Sequence, residues 1–96
     1  MSSAGATIKV QSIRTCVVYD RETGHIHHCH RVVTLAGGHE PEERKIADDA
    51  LKALRNRRNP PVNAEFGVLH FADDVMKPDK NYRVDIHKQI LVLLSS

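Results

Sequence analysis

Four histidines and a cysteine crowd into His25-Ile26-His27-His28-Cys29-His30, and a second cysteine, Cys16, lies on the segment just before them. Imidazole and thiolate are the groups that zinc takes in tetrahedral sites. Alternation along an extended strand sends His25, His27 and Cys29 to one face and His28 and His30 to the other. If residues 21–24 form a four-residue loop, Asp20 pairs with His25, and Cys16 then falls opposite Cys29, Val18 opposite His27 and Val17 opposite His28. In that register Cys16, His25, His27 and Cys29 share a face, within the cross-strand Cβ spacing of about 4.5–5.5 Å. The set suggests a zinc-type metal site, but its spacing fits no finger pattern, and ligands on a flat strand diverge unless a twist or a second chain gathers them. A polar, partly exposed strand face with no cofactor is the plainer expectation. The same thiols, directly opposite, also sit at a bridgeable separation. The clustered imidazoles gain charge below a pH of about 6.5.

Other chemistry is thinner. Cys29 has His28 and His30 beside it, yet neighbours on a strand face opposite ways, so neither takes its proton easily. Gly37-Gly38 precede a helix in the manner of an anion cradle, but Glu40, Glu42 and Glu43 crowd the same end and repel phosphate. Asp73, Asp74 and Asp79 lack the regular carboxylate pattern of a calcium loop. Paired carboxylates for acid–base work are not identifiable, so catalytic residues are not assigned and an enzyme is the less favoured class.

These residues need a frame. Ile13 to Tyr19 is β-branched and reads as a strand, residues 20–24 as a turn with Gly24 at positive φ, and His25 to Leu35 as the returning strand. Residues 42–58 form an amphipathic helix in which Ile46, Ala47, Ala50, Leu51, Ala53 and Leu54 recur at helical spacing and cover one stripe, and the Pro60-Pro61 pair ends it. Residues 64–71 and 82–94 complete the pattern as third and fourth strands. His70 and His87 approach one another if those two strands pair. The expected fold is α+β, in the order β-β-α-β-β, with one helix on one face of a small, mainly antiparallel four-stranded sheet. Residues 1–12 form a partly disordered or short-strand N-terminal segment, and 13–96 a single domain.

The chain has 96 residues, with 41% apolar and 27% charged side chains, an ordinary globular balance with room for one domain. Basic and acidic groups number four and two in residues 1–35, six and five in 36–59, and four and five in 60–96. That even spread, with no Trp and only two Phe and two Tyr, argues against nucleic acid as a partner. The basic run Arg55-Asn56-Arg57-Arg58 suits a helix C-terminus, where the macrodipole favours cations. A run of 18 apolar residues is missing, so no membrane span is expected. Two cysteines and no secretory signal point to the cytoplasm.

Ile90-Leu91-Val92-Leu93-Leu94 is apolar on both faces of its strand, as are Val17-Val18 and Val32-Val33, and one alanine-rich helix covers little area. The expected cover is a second copy of the chain, because two-fold homodimers are the commonest assembly; the alternative is a central strand at residues 90–94 covered by the helix on one side and by the N-terminal segment on the other. Residues 90–94 are the candidate interface. The reading is a non-catalytic binding or interaction module acting as a homo-oligomer, with metal binding through the histidine-rich hairpin as the alternative and an interface enzyme third.

Overall fold

The computed structural model describes residues 9–59, 65–72, 76–77 and 79–94. Its organising element is β1 (Val10–Asp20), which begins three residues before the expected Ile13. Thr15, Cys16, Val17, Val18 and Tyr19 are consecutive and all buried, the mark of a strand covered on both faces. β2 (Ile26–Leu35) and β3 (Phe66–Phe71) flank β1 antiparallel, giving the order β2-β1-β3.

The helix α1 (Glu43–Arg55) lies over one face of this sheet. Its Ile46, Ala50 and Leu54 pack with Cys16 and Val18, joined by Val32, Phe66 and Val68. Spacing of four residues puts the three helix side chains in one row. The helix is shorter than the expected 42–58, and Asn56 closes it, with its N–H donating to the Lys52 carbonyl. Pro60 and Pro61 lie outside the described residues, as do residues 1–8, Ala64, and Asp73 with Asp74.

The opposite face is not bare. Here the expected fourth strand, 82–94, divides into β4 (Tyr82–Asp85) and β5 (Ile90–Leu93), an antiparallel hairpin that forms its own two-stranded sheet. Val84 is buried there with Val17 and Tyr19, and Leu91, Ile86, Leu69 and Phe71 pack around them. The single four-stranded sheet is therefore corrected to a three-stranded and a two-stranded sheet. The cause is local. Asp85 Oδ1 accepts the N–H groups of His87 and Lys88 at 3.0 Å each, an Asx turn that reverses the chain. Gln89 completes the reversal in the left-handed region at φ 57°, with its N–H on the Asp85 carbonyl at 2.7 Å. β3 and β4 do not pair, so His70 and His87 are not brought together by neighbouring strands: His70 stands opposite Cys16 on β1, and His87 is in the exposed turn.

Two glycine positions hold the layers together. Gly24, at φ 81°, ends the β1–β2 turn, and its carbonyl accepts the Val84 N–H at 2.9 Å. A Cβ on Gly24 lands on the Val84 carbonyl. On the other side of β1, Gly67 lies beneath the Tyr19 ring, where any side chain collides with it. That ring then reaches past the strand, and its hydroxyl donates to Gln89 Oε1 at 3.1 Å.

β3 pairs only with Thr15–Asp20 of β1, whereas β2 continues to Leu35. The rest of the β1–β2 ladder projects as an arm, and the molecule measures 55 × 29 × 25 Å with a radius of gyration of 15.7 Å, against about 12.5 Å for a compact chain of this length. Glu40 braces the arm by accepting from Ser12 Oγ at 2.8 Å and from Arg14 Nε.

Candidate functional site

The histidine-rich strand starts in the expected register and then leaves it. At the turn, Asp20 N–H donates to the His25 carbonyl at 2.8 Å and Tyr19 pairs with Ile26. One step later Val18 pairs with His28 rather than His27, Val17 with Cys29, and Cys16 with His30. His27 is the extra residue of a β-bulge, which locally breaks the strict alternation of an extended strand. The shift separates the proposed zinc ligands. Cys16 joins the helix-side core at 0% exposure, while Cys29 shares the face of Val17 and is exposed. His25 is exposed in the turn and His27 is half-buried at the bulge. No disulfide joins the two cysteines. Among the described residues, no group of three or more His, Cys, Asp or Glu side chains could hold a metal ion.

What the bulge does assemble is a row of imidazoles on the hairpin. The His27 ring meets His25 edge-on at 4.9 Å and Phe66 at 5.4 Å, and the His28 and His30 rings lie 6.1 Å apart. Arg57, just past α1, reaches His28, with Nη2 at 3.0 Å from Nδ1. A guanidinium only donates, so Nδ1 accepts and the ring proton sits on Nε2. That atom is buried without a hydrogen-bond partner. The basic run in the sequence marked Arg57, but its partner depended on the bulge.

The electrostatics favour neutral groups. Burial pushes the Cys16 thiol up to about 11, with Cys29 and then Glu43 adding to it, so at neutral pH the free thiol stays protonated and is a poor nucleophile. Burial lowers His28, helped by Arg57 and His30. Burial also lowers His27, with His25 and Arg57 acting the same way and Asp20 opposing. A histidine whose folded pKa is depressed binds its proton more readily in the unfolded chain. Stability from these two groups is therefore complete above about pH 6.5 and declines as pH falls below it. Urea midpoints measured between pH 8 and pH 5 should fall with acidity, and His28→Gln should flatten that decline.

The second candidate is the edge of β5. Leu94 N–H donates to the Asn81 carbonyl at 2.8 Å, and Arg83 pairs with Val92. Alternation along an antiparallel pair then turns the N–H and C=O groups of Leu91 and Leu93 away from β4, to an edge that pairs with no strand among the described residues. Ile90, Leu93 and Leu94 are 47%, 56% and 39% exposed. Leu91 and Val92 are half-buried. Of the five residues expected together at an interface, Leu91 packs within the chain against the core around Val17 and Tyr19, while Ile90, Leu93 and Leu94 stay exposed. The sequence alone could not foresee the turn at Asp85–Gln89, which turns residues 90–94 into an edge strand.

No family model, curated protein or solved structure matches this chain.

Proposed function

We propose that this chain is a non-catalytic interaction module that acts as a homo-oligomer, with β5 as its contact strand. One observation carries the reading: Ile90, Leu93 and Leu94 stay exposed on a strand without a single charge, although β1 already has both faces covered by its own helix and hairpin. Proteins usually protect such edges with lysine, proline or a bulge. About half of each exposed side chain is left to bury, worth roughly 1 kcal/mol apiece. The non-catalytic part rests on how the reactive groups are spent. Cys16 fills the core, and Arg57 engages His28. Two cysteines on opposite faces of a hairpin suit a reducing compartment such as the cytoplasm. Among the described residues no helix is long and apolar enough to cross a membrane.

Sedimentation equilibrium over a chain concentration series from micromolar to millimolar tests the reading. A mass rising toward twice that of the chain is expected. A monomer mass throughout contradicts it.

A further inference from the structure

Each strand edge differs in what it can accept. The outer edge of β4 is engaged by the β1–β2 turn through the Gly24 carbonyl and Val84 N–H. β2 carries His27, His28, His30 and Arg31 along its length, a polar stretch that offers an apolar strand no matching side chains. β3 has Gly67 at its second position, and its Phe66, Val68, Leu69 and Phe71 are packed against the two cores. Val10, Val33 and Leu35 are exposed on the β1–β2 arm, where Arg14 and Arg31 interrupt the apolar pattern, whereas β5 combines exposed Ile90 and Leu93 with no charged side chain. A two-fold axis sets a strand against itself, so the occupant it fits best is one with the same apolar pattern.

Building on the proposal that the chain self-associates, we infer that two copies join β5 to β5 antiparallel about Val92, merging their hairpins into one four-stranded sheet. The outward backbone groups choose the register. Leu91 and Leu93 carry them, so the ladder closes when Leu91 faces the partner's Leu93, and the exchange gives four new N–H···O=C bonds across the axis. In this register Ile90 faces the partner's Leu94, and Val92 faces the partner's Val92 in a non-hydrogen-bonded pair. Every exposed apolar residue of β5 then meets an apolar residue, and no charge opposes another. Sliding the axis to Leu91 sets Ile90 against Val92 but brings Lys88 opposite Leu94 and Gln89 opposite Leu93, which leaves less apolar surface matched.

Non-hydrogen-bonded pairs hold Cα atoms about 4.5 Å apart, within the reach of a disulfide. The test is Val92→Cys in a Cys29→Ser background, oxidised with oxidised glutathione; Cys16 is fully buried and stays in place. A covalent dimer should form in more than half of the chains at concentrations where sedimentation shows association. Arg83→Cys in the same background is the control, because its two copies lie three strand spacings apart, roughly 14 Å, and should not cross-link. Association without a link at position 92 overturns the β5 register and leaves the homo-oligomer reading standing. A monomer in sedimentation overturns both. Circular dichroism of each variant verifies the fold, and amide exchange in the unsubstituted chain reports on the same edge.

Discussion

Gly24→Ala should cost the protein at least about 3 kcal/mol. Three effects combine. A non-glycine residue at φ 81° pays roughly 1–2 kcal/mol for left-handed backbone. The new Cβ lands on the Val84 carbonyl, so turn and β4 must separate. Their separation breaks the Gly24–Val84 hydrogen bond and begins to uncover the core around Val17, Tyr19 and Val84. For a domain of this size each kcal/mol corresponds to about 4–8 °C in melting temperature. Gly37 supplies the comparison, since it has φ 87° but nothing within 4 Å of an added Cβ. Gly37→Ala should therefore lose only the backbone part, about 1 kcal/mol. Thermal melts of the pair settle the matter, and equal losses would show that the contact with Val84 contributes nothing.

Val92→Glu should abolish self-association while leaving the single chain folded. Within one copy, Val92 stands opposite Arg83, so the new carboxylate gains a cross-strand partner of opposite charge worth a few tenths of a kcal/mol. Across the proposed axis the same change sets two carboxylates face to face in an apolar seam. Like charges placed in an interface cost several kcal/mol, and the dissociation constant should rise at least about tenfold for each 1.4 kcal/mol lost. Val92→Thr, similar in shape and uncharged, should associate far more like the original chain. Light scattering across a dilution series reads the constants. A Val92→Glu chain that associates as tightly as the original contradicts pairing at this residue.

The sequence was most informative where one local rule acted alone. The turn at Gly24 and the helical stripe that contains Ile46, Ala50 and Leu54 follow from glycine's conformational freedom and from apolar spacing. It was least informative where two rules competed. The bulge at His27 moves the register by one residue, and that single step separates Cys16 from Cys29 and removes the proposed zinc set. Nothing in the composition of residues 25–30 indicates where a bulge falls. The apolar run after Lys88 concealed the second miss. Residues 82–94 read as one long strand because Asp85 is a short acidic side chain among many, yet its two backbone hydrogen bonds turn the chain back. The resulting hairpin covers the sheet face that was expected to need a second chain. The case for assembly therefore moves from the faces of the sheet to the edge of β5.

The most direct test of that case is amide hydrogen exchange of the unsubstituted chain, followed residue by residue by NMR at low and high protein concentration. The N–H groups of Val92 and Leu94 point toward β4, and their protection should not depend on concentration. The N–H groups of Leu91 and Leu93 point to the open edge and should become protected only as concentration rises, in step with the mass measured by sedimentation. Leu91 and Leu93 amides that exchange at unprotected rates at every concentration would contradict pairing through β5.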